Sequence, residues 1–116
     1  MSHDPTCIFC KIVAGTIPSR KVYEDDEVLG FHDIAPWAPV HFLLIPKQHL
    51  ESLYDTEPEQ HAALLGKMLA LAPKLALEQG VVNGFRAFVN TGVDGRQEVP
   101  HLHLHVIGGP RPWAKG

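Results

Sequence analysis

Pro100-His-Leu-His-Leu-His-Val-Ile-Gly-Gly109 is the stretch that decides the fold, because histidines at positions 101, 103 and 105 alternate with aliphatic residues. Alternation with a period of two is typical of a β-strand, in which successive side chains point to opposite faces. We therefore expect the three imidazoles on one face and the aliphatic side chains on the other, against a core. Because same-face residues are only about 6.5 to 7 Å apart, mutual repulsion predicts imidazoles that are largely neutral near pH 7.

The composition indicates a single globular domain. The chain has 116 residues, of which 45% are apolar and 20% are charged, as is ordinary for a folded protein. We expect one domain over residues 1–116, with a flexible start at 1–6 and a C-terminal tail at 110–116. A chain of this size is also compatible with a homodimer in which a second copy completes a site.

Charge and hydropathy exclude several classes of partner. A net charge of −3 and ten scattered Lys and Arg residues give no electrostatic footprint for a large nucleic acid. No stretch approaches the ~20 apolar residues needed to span a bilayer, and the start lacks the pattern of a signal peptide. A soluble cytoplasmic protein without membrane association is therefore expected.

The residue pattern predicts two helices and five strands. A short helix over 7–13 ends before Gly15, and a long helix runs from Glu57-Pro58-Glu59 to Gly80. Strands are expected at 21–24, 28–34, 41–45, 85–91 and 100–109, the first two joined by an acidic hairpin turn. Short connections between neighbouring strands favour an antiparallel sheet packed on its helices, which is the α+β class.

An apolar stripe on the long helix is expected to lie on this sheet. Its members are Leu64, Leu65, Met68, Leu69, Ala72, Leu75 and Ala76. Pro73 interrupts the stripe and is expected to bend the helix. His61, in the first turns of the helix, is expected to be an ordinary surface residue.

Three segments together resemble a known family. They are the histidine strand with Gln97 four residues before it, Phe31-His32-Asp33-Ile34, and the strand that begins His41-Phe42-Leu43. In motif order and spacing from Cys7 to about Trp113, the chain resembles histidine triad proteins, and most of all their Hint branch of nucleoside phosphoramidases. The resemblance implies a homodimer in which two five-stranded sheets join into one ten-stranded sheet, with a nucleotide site on each subunit.

The chemistry that the resemblance implies starts from the middle histidine of the triad. His103 would attack the α-phosphorus of a nucleoside 5′-phosphoramidate, and water would then resolve the nucleotidyl-histidine. His105 and His41, with the side chain of Gln97 and main-chain N–H groups of the 96–98 loop, would bind the phosphate oxygens. His101 would orient the row.

The same resemblance implies a binding site for a purine mononucleotide. Asp33 would accept hydrogen bonds from the ribose hydroxyls, Asn90 would lie near the phosphate, and Trp113 would reach the site of the partner subunit. Where Arg96 and Glu98 depart from the family pattern, only their main-chain roles carry over. The base would lie against an apolar slot formed by Ile8, Phe9, Ile12, Ile17, Phe31, His32, Ile34 and Leu43. Of these, Ile12, Ile17 and Leu43 could equally be core residues.

A second site is expected at the N-terminus. Cys7-x-x-Cys10 is a weak metal motif by itself, but His49 and His101 supply two more ligands of the right kind. A Cys2His2 set is typical of closed, structural zinc, as in bacterial members that the chain resembles. Catalysis would then need no cofactor. The alternative is two buried reduced thiols and a surface His49.

Three other functions remain open at this point. His101, His103 and a third histidine could hold a catalytic zinc ion. The chain could be a regulatory module that binds a nucleotide without turning it over. It could also cleave dinucleoside polyphosphates, as in the Fhit branch of the same family.

Overall fold

Five antiparallel strands form one sheet, in the order β1-β2-β3-β5-β4. We describe a computed structural model that covers residues 3–116. Two helices and a short 3₁₀ turn complete the fold, so the expected α+β class is confirmed. In chain order the elements are α1 (Ile8–Val13), β1 (Lys21–Glu24), β2 (Val28–His32), β3 (Val40–Pro46), the 3₁₀ turn (Leu53–Asp55), α2 (Pro58–Glu78), β4 (Phe85–Phe88) and β5 (Leu104–Gly108).

The acidic turn between β1 and β2 is held by the side chain of Asp25. Its Oδ1 accepts hydrogen bonds from the N–H groups of Glu27 and Val28, at 2.7 and 2.8 Å. Lys67 of α2 lies 2.5 Å from Oδ2 of the same carboxylate. Asp25 therefore fixes both the hairpin turn and the approach of the long helix to it.

Helix α2 covers one face of the sheet through the predicted apolar stripe, of which one member is exposed. Met68, Ala72 and Leu75 are buried against β3 and β5, but Leu69 is 58% exposed. Pro73 lies inside a helix that continues without a break to Glu78, so the interruption does not end it. His61 is buried rather than at the surface, because its Nδ1 accepts the N–H of Glu57 and caps the helix from within.

The other face of the sheet is covered by α1 and the residues before it. Phe9 and Cys10 pack there against Leu29, Phe31 and Leu43. Strand β3 is therefore buried on both faces, as its nearly continuous apolar run predicts. No helix within residues 3–116 has the length and apolar character that a membrane span requires.

The histidine strand is shorter than expected. Strand β5 starts at Leu104, so His105 is its only histidine. Residues 101–103 form an irregular segment, in which Leu102 donates its N–H to the carbonyl of Leu50. The predicted strands at 28–34 and 85–91 also end early, at His32 and Phe88. The turns that follow β2 and β4 carry Asp33 and Asn90 to the same end of the sheet as His103.

The two ends of the chain lie against the domain in the part that the structure describes. Met1 and Ser2, the first residues of the expected flexible start, lie outside the described residues. Asp4 accepts hydrogen bonds from Thr6, and its carbonyl accepts the N–H of Cys7. In the C-terminal tail, Lys115 donates its N–H to the carbonyl of Trp37.

Candidate active site and metal cluster

A cavity of about 690 Å³ opens between α1, the end of β2 and the segment that precedes β5. Its volume lies within the range of about 300–1,000 Å³ that is common for small-molecule sites. Ile34 at its edge is fully exposed, and Ile8 is 49% exposed, so apolar surface is available to a ligand. The cavity brings together most of the predicted nucleotide-binding residues, namely Ile8, Phe9, Ile12, Ile17, Phe31, His32, Asp33, Ile34, Leu43, Asn90, Glu98, His103 and His105.

The position of the proton on His103 is fixed by a main-chain contact. Its Nδ1 lies 2.7 Å from the carbonyl oxygen of His101, and a carbonyl can only accept, so Nδ1 carries the proton. Burial lowers the pKa of His103, which keeps the ring neutral near pH 7. The edge-on ring of Phe9 packs against it, with centroids 5.2 Å apart. The unprotonated Nε2 is therefore the nitrogen available as a nucleophile or general base.

A chain of hydrogen bonds gives His105 the tautomer opposite to that of His103. The N–H of Trp37 donates to Nδ1 of His41 at 3.0 Å, which leaves the proton of neutral His41 on Nε2. That Nε2–H lies 3.0 Å from Nδ1 of His105. His105 must then carry its own proton on Nε2. The ring centroids of His103 and His105 are 4.8 Å apart, so two neighbouring rings carry their protons on different nitrogens.

Burial keeps this second pair of histidines uncharged. It lowers the pKa of His41, which is 2% exposed, and the nearby carboxylate of Asp33 opposes the shift. It lowers the pKa of His105 to about 3, and the adjacent rings of His103 and His41 add to the effect. The donor role of His105 therefore rests on a neutral imidazole rather than on imidazolium.

Aromatic rings hold His105 from the side. The ring of Phe88 stacks on it at 4.7 Å with planes 8° apart, and the indole of Trp37 lies at 5.5 Å and 23°. Neither residue was among the predicted site residues. A tryptophan between two prolines, four residues before His41, was the one available signal for Trp37.

Asp33 lies at the cavity with one oxygen committed to the protein. Its Oδ1 accepts the N–H of Ala35 at 2.8 Å, and its Oδ2 is 3.5 Å from Nε2 of His41. The carboxylate is partly exposed, so its remaining acceptor capacity faces the cavity opening. This arrangement can accept hydrogen bonds from hydroxyl groups of a bound molecule.

The structure does not bring the side chain of Gln97 to the cavity. Its amide nitrogen donates to the carbonyls of Glu51 and Val99, at 2.6 and 3.0 Å, and its Oε1 accepts the N–H of Gly92. With both N–H donors used, this side chain braces the loop instead of offering a donor to phosphate. The N–H groups of Arg96 and Gln97 are also used within the loop.

Trp113 lies away from the cavity within its own chain. Its Nε1–H donates to the carbonyl of Gly109 at 3.0 Å, and it faces a separate depression beside residues 80–86. The contact with a partner subunit that the resemblance implies therefore stays a prediction.

Four potential metal ligands converge behind the catalytic candidates. Nδ1 of His101 lies 3.3 Å from Sγ of Cys7, 3.6 Å from Sγ of Cys10 and 3.3 Å from Nδ1 of His49. Nδ1 of His49 lies 3.3 Å from Sγ of Cys10. Zinc bond lengths of about 2.3 Å to sulfur and 2.0–2.1 Å to nitrogen give tetrahedral edges of about 3.3–3.6 Å for these pairs.

The surroundings of the cluster also suit a metal ion. Nε2 of His101 lies 2.8 Å from the carbonyl of Pro46, which places the proton on Nε2 and leaves the lone pair of Nδ1 toward the cysteines. The N–H of Cys10 donates to Sγ of Cys7, and that of Asp4 to Sγ of Cys10. In both contacts the sulfur atom accepts a hydrogen bond and keeps lone pairs for a metal ion, so the residues present fit a tetrahedral Cys2His2 site.

The geometry argues against a catalytic zinc held by the triad. Within residues 3–116, converging ligand atoms occur in this cluster and in the set of Asp33, His41 and His105. Neither set contains His103. His101 and His103 therefore belong to different sites, although they are two residues apart.

Comparison with known proteins decides the family. A family model described as "Scavenger mRNA decapping enzyme C-term binding" matches residues 6–114. A solved histidine triad protein from Clostridium difficile superimposes with a TM-score of 0.90, with 45% identity and coverage of 96% of each chain. The chain belongs to the histidine triad family. Its Hint-like branch is indicated by a 48% identical relative, adenylylsulfatase HINT1 of Arabidopsis thaliana, over 93% of this chain and 74% of that protein.

Other similar proteins have names that fit a hydrolase and a metal site. Protein HitA of Neisseria gonorrhoeae is 53% identical over 90% of this chain and 96% of that protein. A 14 kDa zinc-binding protein of Brassica juncea is 49% identical over 88% and 91% of the two chains. A HIT family hydrolase from Legionella pneumophila has a TM-score of 0.87 and 43% identity over 91% and 95%. This histidine triad protein is accordingly a hydrolase with a Cys/His cluster that is compatible with metal binding.

Proposed function

We propose that this hydrolase cleaves purine nucleoside 5′-phosphoramidates through a covalent nucleotidyl-histidine on His103. The observation that carries the proposal is the opposed placement of protons on two neighbouring rings. Nε2 of His103 has a lone pair for phosphorus, and Nε2–H of His105 can donate to a phosphate oxygen. Both residues line the cavity that holds the apolar slot and Asp33.

The reaction would proceed in two steps that share one phosphorus atom. Nε2 of His103 forms a bond to the α-phosphorus as the P–N bond of the substrate breaks, and the leaving amine takes a proton from solvent at the cavity opening. A water molecule then attacks the same phosphorus, the P–Nε2 bond breaks, and the attacking water returns one proton to solvent. Nucleoside monophosphate and neutral His103 are released. Splitting one hard displacement into two is what a good, uncharged nucleophile provides.

His41 and His101 would act through their neighbours. His41 holds the proton position of His105, and the carbonyl of His101 holds that of His103. The N–H of Glu98 makes no hydrogen bond within residues 3–116, so it is a candidate donor to a phosphate oxygen. The ribose hydroxyls would donate to Asp33, and the base would lie between α1 and β2.

A zinc ion at Cys7, Cys10, His49 and His101 would have a structural role. All four tetrahedral positions are supplied by the protein, which leaves none for water or substrate. Such an ion would fasten α1, which carries Phe9 and the apolar slot, to the segment before β5. Catalysis would need no cofactor.

A second copy of the chain is the proposed partner. Strand β4 is an edge of the sheet, and joining two such edges would continue it into ten strands. Leu69 and Leu77 of α2 are 58% and 60% exposed, which offers apolar surface for such an interface. Sedimentation analysis of the wild type should give a dimer, and Leu69→Glu should shift it toward monomer.

Steady-state kinetics with wild type and His103→Ala test the reaction. Adenosine 5′-phosphoramidate should be the best substrate, ahead of adenylyl sulfate and diadenosine polyphosphate, and His103→Ala should lower kcat/KM by about 10³-fold or more. Mass spectrometry of rapidly quenched wild type should detect one added adenylyl group, which His103→Ala lacks. An unchanged rate in a folded His103→Ala protein would remove the proposal, and a better rate with adenylyl sulfate would replace its substrate.

A further inference from the structure

We propose that Glu98 determines specificity by selecting leaving groups that carry a positive charge over leaving groups that are anions. The proposal rests on the proposed function, because it concerns the amine that departs from phosphorus. It concerns the side chain of Glu98 and not its main chain.

The loop before the histidine segment presents alternate side chains to the cavity. Arg96 and Glu98 line it, and Gln97 between them points into the protein. Four hydrogen bonds anchor Gln97, three through its side chain and one from its N–H to the carbonyl of Gly92. The carboxylate that follows is therefore attached to a fixed piece of backbone at the cavity wall.

Glu98 lines the same cavity as His103. A phosphorus atom within attack distance of His103 therefore places its leaving group in the space that this carboxylate borders. The Debye length at physiological salt is about 8 Å, so a charge at the wall acts on a charged leaving group in that space. An ammonium group there is attracted, and a sulfate, carboxylate or phosphate is repelled.

The other ionic side chains of the cavity do not cancel this effect. Asp33 carries a charge of the same sign as Glu98, so it does not cancel the effect of Glu98. Arg20 lies beside His32, whose pKa its charge lowers, at the apolar end. Arg96 is the one competitor on the same loop, and along the chain it is two residues further than Glu98 from the segment that carries His103. We therefore assign the selection by charge to Glu98.

A matched set of substrates isolates the charge of the leaving group. Adenosine 5′-phosphoramidates of ethylenediamine, propylamine and β-alanine share the scissile P–N bond and present a cation, a neutral chain and an anion. The quantity measured is kcat/KM for the ethylenediamine substrate divided by that for the β-alanine substrate. Wild type is compared with Glu98→Gln, and with Asp94→Asn as the control, because Asp94 is an exposed acid of the same loop that does not line the cavity.

Glu98→Gln should lower this ratio about fivefold, since the effects on the cation and on the anion multiply. Glu98→Lys should lower it further, Asp94→Asn should leave it within about twofold of wild type, and added salt should reduce the difference between wild type and Glu98→Gln. Equal ratios in Glu98→Gln and Asp94→Asn would overturn the selection by Glu98 while leaving the phosphoramidase proposal intact. If the wild type cleaved none of the three substrates, the proposed function, on which this inference depends, would be overturned instead.

Discussion

Replacement of His105 by asparagine should make the stability of the fold less sensitive to acid. His105 is 6% exposed and its pKa is lowered to about 3, mainly by burial. In the unfolded chain the same group titrates near 6.5. Between these two values the unfolded state binds a proton that the folded state does not, so stability is complete above about pH 6.5 and is lost as the pH falls. About pH 5 is about 1.5 units below the unfolded pKa, and each unit lowers the free energy of unfolding by about 1.4 kcal/mol, so the loss there is about 2 kcal/mol.

Urea unfolding followed by tryptophan fluorescence, at about pH 7 and about pH 5, measures this loss. The free energy of unfolding of wild type should fall between the two conditions by about 2 kcal/mol more than that of His105→Asn. Other groups, including the buried His41, titrate in both proteins and largely cancel in the difference. Equal falls in the two proteins would show that His105 is not held neutral by the fold, and the donor role derived from its buried ring would be refuted.

Three further changes test other parts of the structure. Trp37→Ala should lower kcat/KM about tenfold and move the acid limb of the pH–rate profile to higher pH, because uncovering His105 raises its pKa. Trp37→Phe should restore most of the rate and most of the original pH profile. An acid limb that does not move in Trp37→Ala would contradict the role of the indole. Gly95→Ala would bring Cβ into steric overlap with the main-chain carbonyl oxygen of Thr91, so activity and Tm should fall. Gly66→Ala, with open space in α2, should leave activity unchanged and raise Tm. Cys10→Ser should remove bound zinc, measured by mass spectrometry of the intact protein, and abolish the drop in Tm that a chelator causes in wild type; a chelator without effect on the wild type would argue against a structural metal.

The periodic parts of the fold could be predicted from the sequence because burial alone determines them. The apolar run of β3, the stripe of α2 and the proline at its start each depend on local pattern, and the structure places them as expected. Boundaries were less predictable. A period of two says which face a side chain takes but not where ladder hydrogen bonds stop, so β5 begins three residues after His101.

The details of the site depended on individual hydrogen bonds that residue type does not predict. Gln97 turns inward because the carbonyl of Glu51, 46 residues away, accepts its amide hydrogen. His61 is buried because an N–H at the start of its own helix lacks another partner. The main-chain N–H of Trp37 fixes the tautomer of His41, and any residue would supply that donor. The stacking of its indole on His105 became visible only in the coordinates. Residue type predicted the chemistry of the cavity, but the direction of each donor needed the coordinates.

His101 connects the Cys/His cluster to His103, the proposed nucleophile. Its Nδ1 lies among the cysteines, its Nε2–H is anchored on Pro46 of β3, and its carbonyl holds the proton of His103 on Nδ1. If that carbonyl turned away, the proton could move to Nε2, and the ring would lose the lone pair that the proposed reaction needs. A metal ion at the cluster would therefore contribute to the rate by fixing a backbone orientation, in addition to any contribution to stability.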